Sequence, residues 1–556
     1  MMKTESNFNE KKNSIWKIRK NEEENILSIM SLFNLSYNIA SILICRLKIS
    51  SDISCVEKFL NSNIEDYSAS TLKGCTEITN RLMQAFHNQE VVGIFGDYDV
   101  DGLSATVLWS EIFEKYNIKY EVYIPNRCDG YGPTPENVQI LLDKKVNVLL
   151  FVDCGTCCVS WLSKYEVDVC VIDHHVGVAD ENSIYALVNP YVSTQSEFYD
   201  ICAVGLSYLI AKQFISRISN DDILSCGVVD LAAYGTIADV MPLVGINRAY
   251  VKFGLNKIER LGIRALMELM EKNTLSAGDV AFYIAPILNS AGRISSAMLA
   301  YELLFTKDVH VAMQTAKTLF TLNERRKEIE SSTVKQALID RKSLTNKVVC
   351  LKSEEWHAGV VGIVAGRVKE IISRPTFVFY KSENLWKGSA RSVSQVHIGN
   401  LITQSVNLNL AVSGGGHSVA GGVSVDESKF NLWQNWMCEN CPTYSDVKTI
   451  HVDLCIKLSK ISDLCREIKV LSPFGMGNSY PVVLVKHVWL SKADIHMKNE
   501  SPTGHVRCKI YDGASYIFFA FRCLEDWGGK LLEAEGSYVD LLLQCNERGA
   551  NIIDVA

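Results

Sequence analysis

Short runs of apolar residues recur along the first half of the chain, and helix-forming polar stretches separate them. Val91 to Phe95, Val148 to Val152 and Val169 to Ile172 are three such runs, and Leu231 to Ala238 is a fourth. Continuous runs of Val, Ile, Leu and Phe between helical segments are typical of strands buried on both faces of a parallel sheet. We therefore predict an α/β domain with a parallel sheet over residues 61–255.

Each of these four runs leads directly into acidic residues, and the third also leads into two adjacent histidines. The carboxyl ends of parallel strands meet at one edge of a sheet, so these side chains are expected to lie together. Carboxylates crowded at one edge repel each other unless cations lie among them. The pattern predicts a multi-metal site built from Asp97, Asp99, Asp101, Asp153, Asp173, His174, His175 and Asp239.

The residue types narrow the choice of metal. Asp97-x-Asp99-x-Asp101 resembles the opening of a calcium loop, but its twelfth position is Leu108 and an apolar strand precedes it, which excludes that loop. Mixed carboxylate and imidazole ligands favour manganese-type ions over calcium. A solvated acidic loop explains any one of the clusters, but it does not explain their repetition. Two ions about 3.5–4 Å apart would activate water for phosphoryl displacement.

The rest of the chain divides by pattern into four further parts. Residues 1–60 are predicted to be an N-terminal helical segment, and residues 256–344 a helical connector that Asn289–Arg293 interrupts. Within the connector, Val311 to Lys342 contains no Gly or Pro and predicts a long bridging helix. A second α/β unit is expected over residues 345–442. The alternating pattern over residues 443–556 predicts a small β-barrel.

Two glycine-containing segments of the second α/β unit are candidates for binding phosphate. Gly414-Gly415-Gly416-His417 would let backbone N–H groups approach an anion closely, although a flexible turn explains the glycines alone. Arg391 lies in Gly388–Ser392, which we interpret as a loop of small residues, and arginine binds phosphate through two parallel hydrogen bonds. A phosphate clamp is the interpretation that accounts for both segments.

Charge and cysteine content restrict the class of protein. The net charge is −7, yet His310 to Gln395 holds fifteen Lys or Arg and eight Asp or Glu, a local excess that could bind a polyanion. Cys154/Cys157 and Cys438/Cys441 have a zinc-type spacing, which we interpret as accidental. The N-terminal residues lack the apolar core of a signal peptide, and no apolar stretch is long enough to cross a membrane. We expect a cytoplasmic protein with reduced thiols.

Longer motifs of the chain resemble the RecJ family of DHH phosphoesterases over nearly the whole length. Asp173-His174-His175 is the DHH signature. The other matching stretches are GDYDVDG at 96–102, PNRCDGYG at 125–132, TIADVMPL at 236–243, LNSAGR at 288–293, LNERR at 322–326, WHAGVVGIVAGR at 356–367, GSARS at 388–392, GGGHSVAGG at 414–422 and LSPFGMGNSYP at 471–481.

The resemblance implies a DHH domain, a long connecting helix, a DHHA1 domain and an OB-like barrel. It implies a 5′-to-3′ exonuclease that acts on single-stranded DNA in recombination and repair with Mn²⁺ or Mg²⁺, and partners that include a helicase and a single-strand-binding protein. Asp97 and Asp173 are expected either to bind metal or to orient ligands. The residues implied to bind nucleic acid are Asn289, Arg293, Arg367, Ser389, Arg391 and His417.

Aromatic residues of the predicted barrel are candidates for stacking on bases. Tyr516, Phe518, Phe519 and Phe521 qualify, although alternate residues of a strand must face the barrel core. Two other functions stay open. One is a DHH phosphodiesterase for short oligonucleotides or cyclic dinucleotides, and the other is a DNA-binding relative without catalysis. The barrel counts against the first, and the complete set of acidic and histidine positions counts against the second.

Overall fold

The computed structural model describes residues 14–19, 23–47, 54–127, 130, 132–180, 182–192, 198–219, 221–339, 343–444, 449–498, 501–521, 523–524 and 527–556. The chain forms two compact units. The central unit comprises Asn61–Ile329 and Pro473–Asn478, and the composite unit comprises Met1–Leu60, Glu330–Ser472 and Ser479–Ala556.

The N-terminal part of the composite unit holds one strand as well as helices. Its elements are β1 (Ile15–Ile18), α1 (Glu23–Phe33), α2 (Tyr37–Leu47) and α3 (Ser54–Leu60). β1 pairs in parallel with residues Thr449–Val452, and the indole N–H of Trp16 donates to Asp554 at 2.8 Å. The sequence pattern predicts only helix here, because a strand of four residues is too short to produce a recognisable alternation.

The central unit is built on a five-stranded sheet that is parallel throughout. Its strands lie in the order β3-β2-β4-β5-β6. Every residue of the middle strand β4 is buried, which explains its unbroken apolar sequence. The predicted parallel sheet is confirmed, with strands β2 (Val91–Gly96), β3 (Lys119–Tyr123), β4 (Val148–Val152), β5 (Asp168–Ile172) and β6 (Ala186–Val188).

Helices surround this sheet and supply most of its core. Trp109 on α5 packs against Phe214 on α8, with ring centroids 6.3 Å apart. The helices are α4 (Cys75–Asn88), α5 (Val100–Lys115), α6 (Pro135–Leu142), α7 (Val159–Leu162), α8 (Ala203–Ile218), α9 (Val229–Ala238), α10 (Gly245–Gly254), α11 (Leu261–Leu269), α12 (Ala277–Asp279), α13 (Ala285–Ile294) and α14 (Met298–Phe305).

Two predictions for this unit are wrong. The apolar run Leu231 to Ala238 is not a strand but most of helix α9, which is buried on nearly all sides. A helix without a polar face shows no 3.6-residue periodicity, so its sequence resembles that of a buried strand. Asn289–Arg293 does not interrupt the helical connector, because it lies inside α13. A π-helical turn at Val280–Ile284 precedes α13.

The composite unit contains a second, mixed sheet. Its strand order is β10-β11-β9-β8-β7, and β7 and β8 are the parallel pair. The long helix α15 (Val309–Ala337) precedes the sheet, and its residues divide between the two units. The remaining elements are β7 (Val349–Ser353), α16 (Val361–Ile372), β8 (Thr376–Ser382), β9 (Leu385–Arg391), α17 (Ile398–Asn407), β10 (Ser413–Gly416), β11 (Ala420–Asp426) and α18 (Phe430–Asn440).

The two segments interpreted as phosphate-binding loops are strands. Gly388 to Arg391 belongs to β9, and Gly414 to Gly416 forms β10 of a hairpin with β11. Packing explains several of these glycines, because a Cβ on Gly416 would lie 2.4 Å from the carbonyl oxygen of Ala420. A Cβ on Gly415 would meet no heavy atom within 4 Å.

The C-terminal strands close into the predicted β-barrel, which is therefore confirmed. Strands β14, β15, β16, β18 and β17 follow one another, and β14 also pairs with β17. The elements of this region are β12 (Thr449–Val452), β13 (Leu454–Cys455), α19 (Ile461–Glu467), β14 (Val482–Lys498), β15 (Ser501–Tyr511), β16 (Ser515–Ala520), α20 (Gly528–Glu533), β17 (Ser537–Asn546) and β18 (Gly549–Val555).

Among the residues described, no single helix is both long and apolar enough to cross a membrane; α1 and α2 satisfy that test only together, as a pair bent by 114°. The cysteines of both pairs with zinc-type spacing, Cys154/Cys157 and Cys438/Cys441, are free thiols.

Candidate metal centre

The first group of acidic side chains lies in the tight turn between β2 and α5. Asp99 caps the helix: its Oδ1 accepts the backbone N–H groups of Asp101 at 3.0 Å and Gly102 at 3.2 Å. A Cβ on Gly102 would lie 2.7 Å from the backbone of Asp97, so only glycine permits this turn. The turn brings three carboxylates together at the end of β2.

The carboxylate of Asp101 is fixed by the beginning of α8. Its Oδ2 accepts the backbone N–H of Ala203 at 2.7 Å, and its Oδ1 accepts that of Val204 at 2.9 Å. Unpaired N–H groups at a helix N-terminus stabilise an anion. Gly235 on α9 leaves room for this arrangement, because a Cβ there would lie 2.7 Å from Oδ1 of Asp101.

Asp153 and Asp173 follow the next two strands and serve the site differently. Asp153 is buried in a left-handed backbone conformation, with a φ of +63°, which residues other than glycine adopt mostly at functional sites. Oδ1 of Asp173 accepts both backbone N–H groups of the two histidines, at 2.8 and 3.1 Å, and lies 2.8 Å from Nδ1 of His175. Asp173 therefore orients His175, as a carboxylate behind a metal-binding imidazole does.

Asp239 reaches the site from a helix end instead of a strand end. It caps the C-terminus of α9, and the next residue, Val240, has a φ of +57°. The N–H of Val240 donates to Ile237, and that of Met241 donates to Thr236, which together form a Schellman motif. Glycine is the usual residue at the left-handed position, so a β-branched valine there is an outlier.

His174 lies at the centre of these side chains. Its Nε2 is 3.2 Å from Asp153, 3.5 Å from Asp239 and 3.6 Å from Asp101. Three overlapping groups offer ligand atoms within 4.8 Å of one another: Asp153, His174 and His175; Asp101, His174 and Asp239; Asp97, Asp99 and Asp153. The structure thus brings together seven of the eight residues predicted from the sequence, with the eighth, Asp173, behind His175.

Buried carboxylates of the cluster have the raised pKa values that are expected of a cation site. Burial, and then the negative charges of neighbouring aspartates, raise the pKa of Asp97 and Asp153 well above the usual value. The same causes raise the pKa of Asp101 to about 6 and that of Asp239 to about 8. Oδ1 of Asp97 is buried without a hydrogen-bond partner among the described residues. Divalent cations would satisfy this oxygen and stabilise the ionised carboxylates, so the residues fit bound metal.

These carboxylates are shifted towards their neutral form, whereas the imidazole of His175 is shifted towards its charged form. Burial disfavours its charged form, but the hydrogen bond and the charge of Asp173 outweigh burial and raise its pKa to about 9. The same contacts hold the pKa of Asp173 below its usual range, although burial opposes this. Asp173 therefore stays ionised and makes the ring of His175 more basic.

The candidate nucleic-acid residues lie in three places. Asn289 and Arg293 are half-buried on α13, whose Gly292 packs against the carbonyl of Tyr98 in the acidic turn. Ser389 and Arg391 share the less buried face of β9. Their side chains lie 3.4 and 3.6 Å from where a Cβ on Gly362, in the first turn of α16, would be.

The other two candidates are also in the composite unit. His417 is exposed at the turn between β10 and β11, and its carbonyl accepts the N–H of Gly399 on α17. Arg367 on α16 forms an ion pair of 2.5 Å with the buried Glu330. That contact gives Arg367 a structural role of its own.

Two polar residues that were not predicted from the sequence, Arg127 and Asn189, lie beside the acidic cluster. The guanidinium of Arg127 lies 4.3 Å from the ring centroid of Tyr98, and its positive charge opposes the rise in the pKa of Asp97. Asn189 donates to the carbonyl of His175 at 2.9 Å and to Thr156 at 2.8 Å. Arg127 lies inside the PNRCDGYG motif, so the motif was the available signal; nothing in the sequence marks Asn189.

Three protein-domain models and a solved structure match this chain. The DHH family, N-terminal domain, matches residues 91–236, the DHHA1 domain matches residues 345–436, and the RecJ OB domain matches residues 452–548. The crystal structure of RecJ in complex with Mn²⁺ from Thermus thermophilus is similar with a TM-score of 0.83 and 25% identity. That similarity covers 98% of this chain and 79% of the other.

Curated relatives agree with these matches. The single-stranded-DNA-specific exonuclease RecJ of Bacillus subtilis is 28% identical over 525 residues, which cover 90% of this chain; the chain spans 65% of that protein's length. The protein of the same name from Haemophilus influenzae is 32% identical over 393 residues, which cover 66% of this chain and 68% of the relative. The chain belongs to the RecJ family.

Proposed function

We propose that the chain is a metal-dependent exonuclease that hydrolyses phosphodiester bonds of single-stranded DNA from the 5′ end. The observation that carries this proposal is the overlap of three potential metal-binding groups, in which Asp153 and His174 each belong to two. The carboxylate of Asp153 has two oxygens and could contact two neighbouring cations, whereas the imidazole nitrogen of His174 would bind one cation. Two neighbouring cations would supply the chemistry of phosphodiester hydrolysis.

The metal ligands in this proposal are Asp99, Asp101, Asp153, His174, His175 and Asp239, with Asp97 as a further catalytic carboxylate beside them. Bound Mn²⁺ or Mg²⁺ would polarise the phosphate and lower the pKa of a bound water. The mixed donor set suits Mn²⁺, because imidazole is a poorer ligand for Mg²⁺. The chain's own contribution is to fix the donors. The N-terminus of α8 holds Asp101, and Asp173 holds His175.

The composite unit offers a binding surface for phosphate groups of the substrate. Ser389 and Arg391 lie beside the first turn of α16, and the partial positive charge at the N-terminus of a helix favours anions. Gly415 has open space around it, which would let a phosphate approach the backbone of the hairpin near His417. In the central unit, Arg127 and Arg293 are cations next to the acidic turn. These contacts would hold the DNA backbone without selecting a sequence.

The barrel supplies a basis for preferring single strands. Phe519 and Phe521 lie on the outer face of the barrel with ring centroids 5.9 Å apart, and Phe521 is 53% exposed. Phe518 points into the core and is only 7% exposed, so it cannot stack on a base. The faces of unpaired bases can stack on exposed aromatic rings, whereas bases inside a duplex are already stacked on their neighbours. Tyr516 is half-buried on the same side of the strand as Phe518.

The proposed biological role follows the family. We infer an action in DNA recombination and repair, together with a helicase and a single-strand-binding protein as partners.

The division of the chain into domains at residues 60, 255, 344 and 442 is also a prediction. Limited proteolysis of the full chain would test it, because a protease should cut near these boundaries before it cuts inside the domains.

The test of the activity is a digest of matched substrates. A single strand of about 30 nucleotides, a blunt duplex and a duplex with a 5′ tail would each carry a label at one end only. With Mn²⁺, we expect the 5′ label to be released first from the single strand and from the tail. Equal attack on the blunt duplex, or earlier loss of the 3′ label, would contradict the proposal.

Two controls make this digest decisive. His174→Ala removes a shared ligand and should abolish release of the label while the protein stays folded. A dinucleotide substrate distinguishes the proposed exonuclease from the alternative function. If dinucleotides are hydrolysed and long strands are not, the chain is a short-oligonucleotide phosphodiesterase.

A further inference from the structure

The segment Pro473–Asn478 is isolated in the chain from the unit in which it packs. It lies between α19 and β14 of the composite unit, yet it groups with the central unit. It forms a compact turn in which Gly475 and Asn478 exchange both backbone hydrogen bonds, at 2.9 and 3.2 Å. Gly477 has a φ of +71°, which this turn requires. We call Pro473–Asn478 the clip.

The clip packs against the loop that follows Asp239. The carbonyl of Met476 accepts the backbone N–H of Leu243 at 2.7 Å. The clip approaches this loop so closely that a side chain on either clip glycine would clash with it. A Cβ on Gly475 would lie 2.7 Å from Leu243, and one on Gly477 would lie 3.0 Å from the ring of Pro242.

Hydrogen bonds from buried polar side chains hold the clip in place. The amide of Asn478, which is 1% exposed, donates to the carbonyl of Pro473 at 2.8 Å. The same carbonyl accepts the guanidinium of Arg248 on α10 at 3.3 Å, and Arg248 is fully buried. From the other side, Asn247 on α10 donates to the carbonyl of Pro242 at 3.1 Å. The loop after Asp239 is thus held between α10 and the clip.

This support matters because the sheet does not fix Asp239. Asp153 follows a strand paired on both sides, whereas Asp239 depends on the end of α9 and on the strained conformation of Val240. A strained backbone persists only where its surroundings over-determine it. The Schellman hydrogen bonds provide part of that restraint, and the clip provides the contact on the following residues, Pro242 and Leu243.

We propose that the clip is a positioning element for the metal centre: it holds the Pro242–Leu243 loop so that the carboxylate of Asp239 stays within ligand distance of His174 and Asp101. The inference rests on the proposed metal-dependent function. It assigns a role to a motif, LSPFGMGNSYP, that the catalytic cluster itself does not use. The clip residues act through Asp239 and contact neither substrate nor metal.

The test compares two glycines with the same backbone conformation. Gly477 and Gly513 both have a φ of +71°, but a Cβ on Gly513 meets nothing within 4 Å. Gly477→Ala and Gly513→Ala therefore share the backbone strain, and the clash with Pro242 is specific to the first. Mn²⁺ binding is measured by electron paramagnetic resonance on the full chain without DNA. We expect Gly477→Ala to weaken Mn²⁺ binding by about 10- to 100-fold, as losses of ligand-orienting contacts do, and Gly513→Ala to leave it unchanged.

A second variant keeps the test decisive if Gly477→Ala does not fold. Gly475→Ala clashes with the end of the flexible Leu243 side chain, so it is milder and should weaken Mn²⁺ binding in the same direction. The kinetic signature of positioning is a raised Mn²⁺ requirement with an unchanged KM for DNA. A variant that was merely less stable would not show that split.

The possible failures are distinguishable. If the wild-type chain binds no Mn²⁺ and releases no nucleotides, the proposed function itself is wrong. If the wild type binds Mn²⁺ and both clip variants bind it equally well, the function stands and the positioning role of the clip is refuted. An equal loss in Gly513→Ala would also refute it, because backbone strain alone would then explain the effect.

Discussion

Gly235→Ala tests how closely the metal centre is packed. Gly235 lies inside α9, where replacing glycine by alanine ordinarily stabilises a helix by about 1 kcal/mol. Here the new methyl would lie 2.7 Å from Oδ1 of Asp101 and 2.4 Å from the side chain of Val204. An ordinary contact needs about 3.5 Å, so Asp101 or the start of α8 must move by roughly 0.8 Å or more.

That displacement sets the expected magnitudes. Overpacking of this kind costs about 1–3 kcal/mol, which cancels or exceeds the gain in helix propensity. Movement of Asp101 should also weaken Mn²⁺ binding by about 10- to 100-fold. The stabilisation that Mn²⁺ confers on the folded state should fall accordingly, by about 1.4–2.8 kcal/mol at a fixed Mn²⁺ concentration well above both dissociation constants.

The assay is urea unfolding with and without Mn²⁺, and Gly366→Ala is the matched control. Gly366 lies inside α16, and a Cβ there would come no closer than 3.8 Å to another heavy atom. The control should gain about 1 kcal/mol and bind Mn²⁺ normally. If Gly235→Ala gained as much stability as the control and kept the wild-type response to Mn²⁺, the close packing of Asp101 against α9 would be refuted.

Three further predictions follow from single contacts. Arg260→Leu leaves Asp230 buried without its cation and leaves Glu111 with Lys307 alone, and urea unfolding should show a loss of about 3–5 kcal/mol. Burial raises the pKa of Glu111, but Arg260 and then Lys307 outweigh burial and lower it, so this stability is present above pH 4.5, and the loss should shrink as the pH falls below it. Val240→Gly removes left-handed strain of about 1–2 kcal/mol, which should offset the entropic cost of glycine; a clear loss on unfolding would contradict this. Arg391→Ala should lower the salt slope of single-strand affinity by about 0.7, whereas an unchanged slope with lower thermal stability would make Arg391 structural.

The sequence predicted the parallel sheet and the barrel because both depend on patterns of neighbouring residues. The apolar runs that lead into Asp97, Asp153 and Asp173 have the signature of buried strands, and β2, β4 and β5 are such strands. The motif resemblance added the second α/β unit and the candidate site.

Other features could not be predicted because they depend on contacts between distant segments. Asp239 was expected at a strand end, but it caps α9, whose buried surroundings remove the helical periodicity. Gly388 to Arg391 was interpreted as a loop because small residues dominate it, yet pairing with β8 and β11 makes it a strand. The contact of the clip with Pro242 and Leu243 joins segments more than 200 residues apart, and no local pattern encodes it.

The most direct test of the central claim is the Mn²⁺ dependence of nucleotide release by the wild type and by Asp153→Asn. Asparagine has the same shape as aspartate and tolerates the left-handed backbone at position 153, so the substitution removes a shared ligand charge without disturbing the turn. We predict that the wild type releases nucleotides from a 5′-labelled single strand as Mn²⁺ rises, and that Asp153→Asn stays at the metal-free level. Release by Asp153→Asn at the wild-type rate and Mn²⁺ requirement would contradict the assignment of this cluster as the catalytic metal centre.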